Sequence, residues 1–243
     1  MSIIVRYGRD EVACNVTRNP SLSDRIRIHV QPNGDVEIEA PEDEPIAKIR
    51  VAAQKRARWM HRHQTSAKAA RSCVVPREFV SGESHFYLGR RHKLIVIEDS
   101  KSPSGVKLLR GRIQVTLPVA DPAAIKRRLR SWYAKRATDY LGRKLEETAD
   151  RISWVSSSPK FKLVRMQTQW GSCSPEGSIL LNPALIRVPR HCIEYVITHE
   201  LCHLREHNHS KRFYQLLDRS VPNWRSTKAE LDALAELVLA GEL

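Results

Sequence analysis

Pro189-Arg190-His191-Cys192-Ile193-Glu194-Tyr195-Val196-Ile197-Thr198-His199-Glu200-Leu201-Cys202-His203, running on through Leu204-Arg205-Glu206-His207-Asn208-His209-Ser210, is the stretch whose reading decides this chain. Ile193, Val196, Ile197, Leu201 and Leu204 recur at helical spacing and predict a helix with one buried face, whatever its function. On such a helix His199 and His203, four residues apart, share a face, and Glu200 points into the same cleft. Two imidazoles and a carboxylate so placed suit a catalytic zinc, which takes three protein ligands and keeps a fourth place for water. His207 continues the row but stands about 12 Å from His199 on a straight helix, too far for an ion bound at about 2.1 Å. His209 is better placed: Asn208 suits the left-handed backbone that ends a helix, and Ser210 suits the cap of the next one. Glu230, on a later predicted helix, is the alternative third ligand, and the visible helix break favours His209. The expected site is one Zn2+ on His199, His203 and His209, with Glu200 as the general base that takes a proton from the attacking water.

Outward from that helix, FKLVRMQTQWGSC and GSILLNPALI predict a hairpin closed by Ser174-Pro175-Glu176-Gly177. Helices are expected at about 189–207, 210–219 and 227–240. Upstream, the segment after Pro118 predicts a long linking helix over 121–152. The first forty residues alternate as strands, with a hairpin signal at Pro32-Asn33-Gly34-Asp35. Pro45 opens a basic amphipathic helix to about His63, and two further strand pairs follow, HFYLGRRHKLIVIED and GVKLLRGRIQVTLP. The fold class is therefore α+β: an N-terminal antiparallel β-rich lobe with a basic helix over 1–120, and a C-terminal lobe with a β-hairpin and the metal-site helix over 121–243. No internal repeat is visible.

The 243 residues carry a formal charge of +14 and a pI near 9.9, which predicts attraction to polyanions. Residues 46–75 hold eight Lys or Arg and no acid, and Lys126–Arg136 adds six more. Nucleic acid is thus a candidate partner through 46–75 and 126–136. The five cysteines have no CxxC spacing and an odd count, which argues against a disulfide framework and for a reducing cytoplasm. Cys173 and Cys202 read as ordinary core residues. No stretch approaches the ~20 apolar residues of a membrane helix, so no membrane partner is expected.

The residues also resemble a known group, the YgjP-like HExxH metallohydrolases, usually described as zinc metallopeptidases and related to SprT-like proteases. The resemblance rests on Tyr87-Leu88-Gly89-Arg90, Trp170-Gly171-Ser172-Cys173 followed by Leu181-Asn182, Tyr195-Val196, and His199 to Ser210. It implies a zincin-like C-terminal lobe in which Trp170, Gly171 and Ser172 form a strand and turn beside the metal and bind substrate. Physically, Gly171 would admit a substrate backbone, and an exposed strand edge could pair with an extended peptide. The spacing from His199 to His209 also equals that of metzincin proteases, with Glu206 where they carry a glycine. Gln169 departs from the basic residue that such proteins commonly place before this Trp.

The expected activity is peptide hydrolysis. Alternatives are a metal-dependent nucleoside triphosphate pyrophosphatase, to which the resemblance has also been linked, and a protease recruited to nucleic acid by its basic surface. Arg165, Arg187 and Tyr214 are candidates for stabilising transition-state charge.

Overall fold

Alternating apolar residues lay down the first sheet. The computed structural model describes residues 1–243 apart from 21, 23, 24, 31–33, 73–76, 168 and 240–243, with backbone alone for 66–72 and 236. Ile3 and Val5 of β1 (Ser2–Tyr7), Val12, Cys14 and Val16 of β2 (Asp10–Arg18), and Val36, Ile38 and Ala40 of β4 (Val36–Ala40) line one buried face. β3 (Arg27–Val30) pairs antiparallel with β4; of the turn expected between them, residues 32 and 33 lie outside the described residues. The strand order is β1-β2-β4-β3, and β2 and β4 run parallel. The sheet expected to be antiparallel is therefore mixed, because β3 takes the outer edge and its hairpin partner β4 lands beside β2 in the same direction.

The expected helix from Pro45 to His63 is two helices. α1 (Ile46–Lys55) and α2 (Ala57–Ser72) divide at Arg56, whose φ of −106° and ψ of 9° leave the helical region. Ile49, Ala53, Ala57 and Met60 from these helices complete the core of the first compact unit, Met1–Val75.

The second unit, Pro76–Leu243, opens with β5 (Ser84–Tyr87), β6 (Arg90–Glu98), β7 (Gly105–Leu109) and β8 (Arg112–Leu117). Their order is β5-β6-β8-β7, again with the central pair parallel. Register repeats as well as topology. Cys14↔Val36, Val16↔Ile38 and Ile28↔Ile38 in the first sheet correspond to Leu94↔Ile113, Val96↔Val115 and Val106↔Val115 in the second. Each sheet leads into a helix opened by a proline, Pro45 or Pro122. The chain thus contains an internal structural repeat. The second sheet shares a core with the helix that follows it, so the units divide at 75/76 rather than at 120.

That helix, α3 (Pro122–Arg151), is capped by Asp121, whose Oδ2 accepts from Ala124 N–H at 2.7 Å. Its core residues Ile125, Leu129, Tyr133, Ala137, Leu141, Leu145 and Ala149 fall four apart throughout. Each step of four overshoots a full turn by about 40°, so the buried stripe winds round the helix. Along its length the helix meets β7, β8, a 3₁₀ turn, Pro183–Arg187, and α4 (Arg190–His203).

A small third sheet has β11 (Ile179–Leu181) between β9 (Phe161–Leu163) and β10 (Gly171–Cys173). Only the second half of the expected first strand forms the hairpin; β9 pairs on the far side, parallel to β11. α5 (Lys211–Ser220) and α6 (Trp224–Leu239) close the unit. No helix among the described residues is long and apolar enough to cross a membrane.

Candidate metal centre

α4 is buried on nearly every side, with Ile193, Val196, Ile197, Leu201 and Cys202 in the core. A turn from the second sheet holds its start. Leu88 N–H donates to Ile186 O at 2.8 Å and Gly89 N–H to Arg187 O at 3.3 Å, which seats Gly89 against Pro189 just ahead of α4. The Tyr87–Arg90 stretch is thus a docking turn for the metal-site helix.

At the other end α4 stops at His203, earlier than the expected 207. Asn208 does not take a positive φ; the helix has already ended, and Leu204 and Arg205 carry the chain out through bonds from their N–H groups to Leu201 O and Cys202 O. Ser210 caps α5 by accepting from Phe213 N–H at 3.2 Å, and its hydroxyl donates to Glu206 Oε2 at 3.1 Å. The side chain at the position where metzincins carry glycine therefore braces this turn.

The outcome is convergence of three imidazoles. Ligand nitrogens of His199, His203 and His209 lie within 4.8 Å of one another, and His199 Nε2 and His209 Nε2 stand 3.0 Å apart. Nitrogens about 2.1 Å from a tetrahedral ion would be about 3.4 Å apart, so small adjustments would admit a metal. His203 Nδ1 donates to Glu206 O at 3.1 Å, which fixes the tautomer that leaves Nε2 free as a ligand. Burial, followed by the neighbouring imidazoles, holds the pKa of His199 down to about 3, and burial lowers that of His203. Both are therefore neutral, as metal ligation requires. Among the described residues no fourth His, Cys, Asp or Glu joins the cluster. His207 is exposed, and Glu230 is engaged elsewhere, with Oε2 2.6 Å from His191 Nε2.

Glu200 is buried beside this cluster, and burial pushes its pKa up to about 8. It sits under β10: a Cβ on Gly171 would lie 2.9 Å from Glu200 Oε1. β10 is an edge strand of its sheet, and Trp170, half-buried, packs its ring on the core just before it. Asn182, fully buried, steadies that approach by donating to Met166 O and Gln169 O at 2.7 and 2.9 Å. Cys202 is a core thiol as expected, whereas half-buried Cys173 lies close enough to Glu200 to feel its charge, after burial, in a raised pKa. None of the four described cysteines is paired, and Cys73 lies outside the described residues.

Two residues near the histidines carried no signal of their role in the sequence. Phe213, fully buried, has its ring 4.9, 4.6 and 4.7 Å from the rings of His199, His203 and His209 and forms the floor of the cluster. Tyr195 meets His199 edge-on at 5.9 Å. Of the candidate charge stabilisers, Tyr214 lies 6.3 Å from His209, ring to ring. Arg165 and Arg187 instead line a cavity of about 260 Å³ with Tyr133 and Asn182, to which none of the three histidines contributes.

No curated protein matches the chain. Two solved structures that resemble it are metallopeptidase zymogens. Pyrococcus abyssi abylysin shares 23% identity with a TM-score of 0.35, over 40% of this chain and 94% of that one. Methanocaldococcus jannaschii jannalysin shares 20% identity, also with a TM-score of 0.35, over 40% of this chain and 97% of that one. Residues 24–234 match the YgjP-like, metallopeptidase domain family, and the chain belongs to that family of metal-dependent hydrolases.

Proposed function

We propose that this metallopeptidase is a zinc enzyme in which His199, His203 and His209 hold one Zn2+ and Glu200 is the general base. The observation that carries the reading is the gathering of three imidazoles within 4.8 Å, with no fourth ligand among the described residues. A zinc ion there would polarise a scissile carbonyl and lower the pKa of water. The chain's own residues supply the remainder. Glu200, beside a dication, ionises more readily than burial alone allows. It takes the proton of the attacking water and returns it to the leaving nitrogen. Trp170, Gly171 and Ser172 offer an edge strand to which an extended peptide adds by main-chain hydrogen bonds, next to the Glu200 carboxylate.

Glu200→Gln should retain zinc and lose turnover of peptide or denatured-protein substrates, whereas His209→Ala should lose zinc. Full activity in Glu200→Gln removes the assigned base. Release of pyrophosphate from nucleoside triphosphates by zinc-loaded protein that leaves peptides intact removes the peptidase reading.

A second property, polyanion binding, is supported by the exposure of Arg127, Arg128, Arg130, Lys135 and Arg136 on α3. Of 46–75, the side chains from 66 onward lie outside those described. DNA binding that weakens steeply with added salt supports this property, and binding indifferent to salt removes it.

A further inference from the structure

α4 borders a second cavity. A cavity of about 500 Å³ lies on the side of the helix away from Glu200, lined by Arg151, Trp154, Glu194, Thr198, Arg205 and Arg219 among others. Three guanidiniums face one carboxylate, and that carboxylate is engaged: Glu194 Oε1 accepts from Arg151 and lies 3.9 Å from Lys144 Nζ. Among the described residues no ion pair or hydrogen bond engages the guanidinium of Arg205 or Arg219. Trp154 also lines the cavity, so its indole ring reports on what enters there.

The complement to these groups is a ligand rich in acceptors and negatively charged. Arginine forks match phosphate oxygens two at a time. We infer that this cavity is a binding site for a phosphate group, either inorganic phosphate or the head of a small phosphomonoester. The location gives the ligand a consequence. Arg205 lies on the turn between His203 and His209, and Arg219 lies near the end of α5. A phosphate held by both ties that turn to α5. The inference is independent of what the three imidazoles hold.

The test uses the full-length, metal-loaded protein. Sodium phosphate is titrated against sodium chloride of equal ionic strength, with tryptophan fluorescence and thermal unfolding as readouts. Phosphate should produce a saturable fluorescence change and raise Tm by a few degrees. Trp154→Phe should abolish the fluorescence change and keep the rise in Tm. Arg205→Ala with Arg219→Ala should weaken phosphate affinity at least tenfold; both side chains are exposed, and Gln at both positions serves if the Ala protein is unstable in chloride. Glycerol 3-phosphate separates the sources: affinity equal to or above that of phosphate marks a phosphomonoester site, and tenfold weaker affinity marks a site for the free ion. A response no greater than that to chloride, or phosphate affinity unchanged in the double variant, overturns the inference.

Discussion

A methyl group placed on Gly171 would stand 2.8 Å from Cγ of Glu200 and 2.9 Å from its Oε1. The edge strand and the buried carboxylate are thus fitted to one another, and the missing side chain on β10 is what leaves Glu200 its position. Gly171→Ala requires no unusual backbone, so the protein should fold while the carboxylate is pushed aside. A displacement of about 1 Å in a reacting group costs about a hundredfold in rate. Peptide turnover should fall by that order with metal content unchanged. Wild-type turnover in the variant would separate Glu200 from the chemistry.

Phe213 packs against all three imidazoles, so its ring both fills the core and sets how those rings are turned. Phe213→Ala should cost about 3–5 kcal/mol of stability. Phe213→Leu, which keeps most of the volume, should cost about 1.5 kcal/mol or less and still weaken metal binding by about 10–100-fold, as the loss of an orienting partner does. Denaturant unfolding and competition with a chelator measure the two effects separately. Metal affinity unchanged in the Leu variant would reduce Phe213 to a filler.

The histidine cluster was readable in the sequence because its causes are local. His199 and His203 share a helix face by periodicity alone, and Ser210 signals a cap. Phe213 was not readable, since nothing in Lys211–Ser220 shows that α5 folds back under α4. The break at Arg56 likewise has no proline or glycine to mark it. The repeat has a trace in the sequence: Pro41 and Pro45 follow β4 with the same spacing with which Pro118 and Pro122 follow β8. Few other residues match, because alternation fixes only which residues face inward and leaves their identity free. The edge position of β10 also depended on β9 pairing with β11 from the other side, a non-local choice that no turn signal encodes.

His85 is fully buried, with Nδ1 2.6 Å from Arg77 Nη1. Burial, followed by the charges of Arg77 and Arg187, holds its pKa down to about 3. Below the unfolded value of about 6.5 the unfolded chain takes up a proton that the folded chain refuses. Stability contributed by neutral His85 is therefore complete above pH 6.5 and is lost as pH falls towards 3, with a slope of about 1.4 kcal/mol per pH unit. His85→Gln should remove about one proton from the pH dependence of unfolding between pH 6 and 4. Parallel curves for variant and wild type would mean that His85 does not contribute.

Gly89 and Gly111 occupy the second position of equivalent two-residue turns, Leu88-Gly89 and Arg110-Gly111, with φ of +77° and +74° after residues at +49°. Their surroundings differ. A Cβ on Gly89 would lie 2.7 Å from Pro189 Cα, while one on Gly111 would meet nothing within 4 Å. Gly111→Ala should therefore cost only the left-handed backbone strain, about 1–2 kcal/mol. Gly89→Ala carries that same strain plus a clash with backbone that cannot rotate away, of about 1–3 kcal/mol. The difference between the two variants in denaturant unfolding isolates the seating of the second sheet on the start of α4. Because α4 carries His199 and His203, the Gly89 variant alone should also weaken metal binding. Equal costs for the two glycines would show that the turn does not hold the metal-site helix.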